Sequence, residues 1–210
     1  MDHRAPFALC GLLVLLTACS SGDTAQKNYD RISLESTIIP QSGWGGTPFA
    51  GEARTHRIRF ITLHHGGVLY DGAQPAPENL RNLQNWSRSE KKWIDIPYHY
   101  MVDLEGKIYE ARDIDYPGDT NTNYDPAGHA LICVMGNYEE QVPNRQQLDA
   151  VASLMAFLVA RYDVPLSRIG GHLDHAKGTV CPGKNLYAYL ANGWFNQRVM
   201  QNLAIIVRKP

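Results

Sequence analysis

The stretch Arg57–Gly67, RIRFITLHHGG, decides how the rest of the chain is read. Its β-branched and aromatic residues alternate in the manner of a strand over Arg57–Leu63. Ile58, Phe60, Thr62 and His64 share one face, and Ile61, Leu63 and His65 the other. Both faces are partly apolar, which predicts a central strand covered on each side. Period-two alternation sends the two terminal histidines to opposite faces, so only one of them is expected to enter a given site.

Outward from this strand the elements alternate. Glu78–Trp93 reads as a helix, with Leu80, Leu83 and Trp86 at helical spacing. Tyr98–Asp103 and Lys107–Arg112 read as a hairpin around Leu104-Glu105-Gly106. Asp113–Gly128, rich in Pro, Gly, Asn and Asp, reads as a long loop and a groove wall. Ala130–Met135 is an apolar strand carrying Cys133. Asn144 is a natural N-cap for the strongest helix, whose Leu148, Val151, Ala152, Met155, Leu158, Val159 and Tyr162 form one apolar stripe. Asp163-Val164-Pro165 ends it, and Arg168-Ile169 suits a short strand. Lys184–Leu190 and Trp194–Arg208 read as helices, the run Leu203–Val207 packing on the core. The expected class is α/β: a single domain with a central mixed β-sheet flanked by helices.

With 210 residues, 44% apolar and 20% charged, the chain suits one globular domain. The formal charge is −1, which gives no electrostatic footprint for nucleic acid. The N-terminus carries a signal pattern: His3 and Arg4 precede the apolar run Ala5–Leu16, too short to span a membrane as a mature helix. Leu16-Thr17-Ala18-Cys19 then resembles a bacterial lipobox, which implies cleavage after residue 18 and lipidation of Cys19. Ser20 behind it resembles the outer-membrane sorting pattern, so the expected location is the bacterial cell envelope, on the outer membrane facing the periplasm. Residues 19–37 read as a polar tether, and 38–210 as the folded domain. Removing residues 1–18 takes away Asp2 and Arg4 and leaves the charge at −1. The mature domain then holds two cysteines, Cys133 and Cys181, which in an oxidising compartment could pair or stay free.

The chemistry concentrates in Gly170–Gly183, GGHLDHAKGTVCPG. It offers His172, His175, Lys177, Thr179 and Cys181 within fourteen residues. Imidazole and thiolate together suit zinc, and a histidine from the strand end would complete a set such as His64, His172 and Cys181. Three protein ligands leave one coordination position open, the mark of a catalytic site. Hydroxyl and ammonium donors nearby (Tyr98, Thr179, Lys177) could face a developing oxyanion.

These motifs together resemble the zinc N-acetylmuramoyl-L-alanine amidases of the phage-lysozyme and peptidoglycan-recognition type. The resemblance runs from about Ile38 to Tyr189: IIPQSGWGG, RIRFITLHHGG, DIPYHYMVDLEGKIYEARD, ICVMGNYEEQVPNRQQLDAV and GGHLDHAKGTVCPGKNLY, in that order. It implies one Zn2+ in a surface groove at one end of the sheet, held by His64, His172 and Cys181, with Tyr98 and Thr179 catalytic. It further implies peptidoglycan or muropeptides as substrate, cut between N-acetylmuramic acid and L-alanine. His65, His129, His175 and Lys177 are candidates for the substrate groove. The chain departs from the family pattern by one extra residue between His172 and Cys181, and it lacks a histidine at Gly118–Asn121. Two other classes remain: a non-catalytic peptidoglycan-binding lipoprotein, and a cysteine peptidase built on Cys181, which chelator sensitivity would separate from a zinc enzyme.

Overall fold

β1 (Phe60–His65) is the centre of a five-stranded mixed sheet of order β3-β2-β4-β1-β5. The computed structural model describes Met1 and residues 37–208, the side chains of 205–208 excepted. The expected signal segment, the expected lipobox with Cys19 and the expected tether as far as residue 36 lie outside the described residues, as do the side chains of Ile205–Val207. β1 pairs in parallel with β4 (His129–Val134) over its whole length, and on its other edge with β5 (Ile169–Gly171). β2 (Tyr100–Val102) pairs in parallel with β4 and antiparallel with β3 (Ile108–Glu110). Ile61–His65 are all buried, as a strand flanked on both edges and covered on both faces requires.

The two faces have separate cores. Ile61, Leu63, Ile132 and Val134 meet α2 (Arg145–Tyr162), α3 (Lys184–Ala191) and α4 (Trp194–Arg208) in the larger one. Met101, Tyr109, Cys133 and Met135 meet α1 (Ala76–Ser89) and Trp44 in the smaller. Asn144 caps α2 as its residue type predicts: its side chain accepts from Gln147 N–H while the Gln147 side chain accepts from Asn144 N–H. Gln147 is buried, and its amide also donates to the hydroxyl of Tyr138.

Three expectations shift. Helix α1 ends at Ser89, not Trp93, and Trp86 stands on its outer side, 44% exposed. Leu80 is instead the buried anchor, and Trp86 packs edge-to-face on Trp93 with Lys91 above both rings. β1 begins three residues later than its alternation suggests, because its partner begins only at His129; Arg59 and Phe60 N–H both donate to Gly128 C=O.

The segment IIPQSGWGG packs under the hairpin. Trp44 is buried and its indole N–H donates to Glu110 C=O. Gln41 joins a buried polar knot around Asp95, whose carboxylate accepts from Gln41, Gln84 and Arg88. Arg112, itself buried, donates to the carbonyls of Asp95, Ile96 and Pro117 and to the Asp119 carboxylate. A guanidinium desolvated this far is tolerable only with its donors paired. The effect is to tie the long loop after β3 to the body, at the end of the sheet where the chemistry lies. No helix among the described residues is long and apolar enough to cross a membrane.

Candidate metal centre and active site

The C-terminal ends of β1 and β5, neighbouring parallel strands, deliver the first two candidate ligands. His64 is the fifth residue of β1, on the face shared with Cys133 of β4. His172 follows β5 directly, at the start of the turn His172–Asp174. The loop then returns so that Leu173 N–H donates to Cys181 C=O, bringing Cys181 back beside β1. The N–H of His65 donates to Cys181 Sγ at 3.4 Å, and Sγ lies 3.5 Å from His64 Nδ1. One glycine makes this return feasible. Gly183 has φ +89°, and a Cβ there would stand 2.4 Å from the carbonyl carbon of Tyr138.

The three candidate ligand atoms of His64, His172 and Cys181 lie within 4.8 Å of one another, the one such His/Cys/Asp/Glu group among the described residues. All three residues are buried. His64 Nε2 is buried without a hydrogen-bond partner, which leaves a polar ring held only by what stands at its Nδ1. For tetrahedral zinc with bonds of about 2.1 Å to nitrogen and 2.3 Å to sulfur, the N···S edge is about 3.6 Å. The observed 3.5 Å fits. The donor set, two imidazoles and a thiol, suits zinc with one position to spare.

The titration behaviour agrees with that donor set. Burial pushes His64 well below the usual imidazole value, with the neighbouring histidines adding to it, and pushes His172 down to about 4. Both rings are neutral at pH 7 with a lone pair to give. Burial pushes the Cys181 thiol up to about 12, so without a cation this sulfur is protonated and a poor nucleophile.

The cleft over this cluster is lined by His64, His65, Tyr98, Thr179 and Cys181, with Trp93 and Asp119–Thr122 on its walls. Tyr98 packs on His64 with ring centroids 5.1 Å apart. Its phenol is held well above its ordinary value, chiefly by desolvation, and its hydroxyl meets the Cys133 thiol. Thr179 Oγ1 accepts the N–H of Cys181 at 3.1 Å and keeps its own proton to donate. His65 also lines the cleft, against the strict alternation of faces, because at the strand end both rings border the same opening. Its Nδ1 accepts Tyr138 N–H.

The other groove candidates fall elsewhere. His129 is buried, bonds Thr62 Oγ1 through Nδ1 at 2.8 Å and stacks on Phe60. His175 packs edge-on to His129, and both stand outside the cleft lining, screened from it by Tyr124 and His172. Lys177 is exposed and outside it too. Cys133 and Cys181 are both free thiols. Sequence reasoning missed Thr120 and Thr122, whose hydroxyls reach His172 from the opposite wall. Nothing in TNTN within a polar loop signals that.

A mixed sheet with a His/His/Cys cluster in a cleft at its strand ends defines an α/β domain with a candidate metal site. Within it, residues 54–184 match the N-acetylmuramoyl-L-alanine amidase family, and the chain belongs to that family. It is 28% identical over 200 residues to peptidoglycan recognition protein 1 of Mus musculus, covering 91% of this chain and 97% of that one. It is 27% identical over 179 residues to an N-acetylmuramoyl-L-alanine amidase of Sus scrofa, covering 80% of this chain and 29% of that one. Among solved structures, Drosophila peptidoglycan recognition protein SD superposes with a TM-score of 0.64 at 30% identity, over 73% of this chain and 92% of that one.

Proposed function

We propose that this protein is a zinc-dependent N-acetylmuramoyl-L-alanine amidase that cuts the amide between the lactyl group of N-acetylmuramic acid and L-alanine of the stem peptide. The observation that carries it is the convergence of His64, His172 and Cys181 beneath a cleft bordered by Tyr98 and Thr179. The names of the relatives, recognition proteins for peptidoglycan and an amidase of that bond, supply the substrate class.

Zinc bound by the three residues would act as a Lewis acid and lower the pKa of its water from about 16 to about 7. The chain's own groups do the rest. Burial holds the Tyr98 phenol well above its ordinary value in the metal-free protein, so its hydroxyl is there as a donor. A thiol is a weak acceptor, so the Tyr98 hydroxyl can exchange Cys133 for a charged oxygen, a stronger partner. Thr179, held through Cys181 N–H, presents a second hydroxyl on the same cleft. Two such donors favour the tetrahedral oxyanion over the planar amide, which is where catalytic binding energy counts. Trp93 and Asp119–Thr122 form walls of the cleft that would flank the stem peptide and sugar. The lipobox adds a place: tethered through Cys19 to the outer membrane, the domain would meet peptidoglycan from the periplasm.

Purified sacculi digested with the protein, followed by mass spectrometry of the products, test the reading. Released peptides with free N-terminal L-alanine and intact glycan strands uphold it. New reducing sugar ends, new D-amino-acid termini, or binding without cleavage would each overturn it, the last leaving a recognition module.

A further inference from the structure

The ring of His172 has closely placed neighbours at its Nε2. Its Nε2 stands 2.7 Å from Thr122 Oγ1 and 3.5 Å from Thr120 Oγ1. The two hydroxyl oxygens are 2.8 Å apart, and the Thr122 N–H donates to Thr120 Oγ1 at 3.1 Å. One arrangement satisfies all of these contacts with Nδ1 left free: the Thr122 hydroxyl donates to Thr120 Oγ1, its lone pairs face the ring, and Nε2–H is the donor. A neutral imidazole carries one N–H, so Nδ1 then holds the free lone pair.

The threonines come to the ring already in place. They lie on the loop after β3, which the Arg112 guanidinium grips through Pro117 C=O and the Asp119 carboxylate. His99 Nε2–H donates to Tyr116 C=O in the same loop, while its Nδ1 accepts Leu131 N–H. The loop therefore reaches His172 as a fixed wall.

We propose that Thr122, aligned by Thr120, is a positioning residue of the metal centre: it accepts Nε2–H of His172, fixes that tautomer, and turns the Nδ1 lone pair toward the ion shared with His64 and Cys181. This rests on the zinc reading above. Metal-bound imidazoles generally donate their second N–H to an oxygen, and loss of that partner typically weakens metal binding by about 10–100-fold. Here a hydroxyl from the substrate-facing wall fills the role, so the wall that flanks the ligand also steers a zinc ligand.

The test compares wild type, Thr122→Val and Thr122→Ser, reading zinc affinity by competition with a chromophoric chelator, independent of turnover. Thr122→Val is nearly isosteric and removes only the acceptor; its zinc affinity should fall by about 10–100-fold. Thr122→Ser keeps the acceptor and should restore affinity to near wild type. In the zinc-loaded wild type, ¹⁵N shifts of His172 should show Nε2 protonated. Wild-type affinity in Thr122→Val, or equal weakness in Thr122→Ser, overturns the proposal while leaving the amidase reading intact. Absence of zinc binding in wild type would overturn both.

Discussion

Cys181 Sγ stands 3.5 Å from His64 Nδ1, although 117 positions separate them in the chain. A thiol and an imidazole brought this close, with His172 at hand, should retain one zinc per chain through purification. Metal analysis giving far less than one, with activity surviving exhaustive chelation, would refute the centre. Cys181→Ser should lose most of the zinc yet unfold, when both are metal-free, at nearly the wild-type temperature, since a serine oxygen can still accept His65 N–H.

Tyr98→Phe removes a hydroxyl on the cleft wall beside the Cys133 thiol. The fold and zinc content should therefore hold. Loss of one oxyanion donor costs about 10²–10³-fold in kcat, roughly 3–4 kcal/mol. Steady-state kinetics on soluble muropeptides should show kcat falling with KM little changed; a pure KM effect would make Tyr98 a binding residue instead.

Gly183→Ala should destabilise the protein by about 1–3 kcal/mol. The position has φ +89° and its new methyl would meet the backbone of Tyr138 and Glu139, which cannot swing aside as a side chain can. Urea unfolding measures the loss. Zinc affinity should drop with it, because Gly183 follows Cys181 by two residues; an unperturbed variant would show that the loop relaxes freely.

Acid should weaken the fold before any carboxylate titrates. Burial pushes His99 down to about 3 and His129 down to about 4. Both folded values lie below the unfolded value of about 6.5. The stability these neutral rings contribute is thus complete above pH 6.5 and is lost as pH falls through it, because the unfolded chain binds protons that the folded one refuses. Each ring alone gives a slope approaching 1.4 kcal/mol per pH unit below pH 6. Unfolding free energies from pH 7 to 5 should fall by roughly 2–4 kcal/mol for the two rings together; a flat profile would contradict the buried, neutral assignment.

Much of this was legible beforehand, for identifiable reasons. The alternation in RIRFITL and the stripe from Leu148 to Tyr162 are local, and local periodicity survives into the fold. The cluster of His64, His172 and Cys181 was legible because His and Cys are chemically rare and stand in a recognisable order. Tertiary facts were not. Trp86 sits at helical spacing with Leu80, yet the helix turns it outward. His129 and His175 look like groove residues, but packing on Phe60 and Tyr124 takes them out of the cleft. Thr122 carries no signal at all, since its role depends on where a loop fifty positions before His172 is pinned.

The lipobox yields a separate prediction. Mass spectrometry of the mature protein from membranes should find Cys19 as the N-terminal residue, bearing more than one acyl chain, because a single chain anchors only marginally. A soluble protein with an unmodified Cys19 would remove the tether from the reading.

β5 has three residues and lies at the sheet edge, joined to the core through three register pairs with β1. Edge elements this short open locally at far lower cost than global unfolding. Peeling β5 away would carry off His172 and Cys181 together while β1, β4 and α2 stay folded with His64 in place. The ligand set would thus be split by a small excursion of the chain, and a bound ion would close that route. Amide exchange should therefore slow on zinc binding most strongly at Ile169–Cys181 and little within β4, making the cation a clasp on the edge of the sheet.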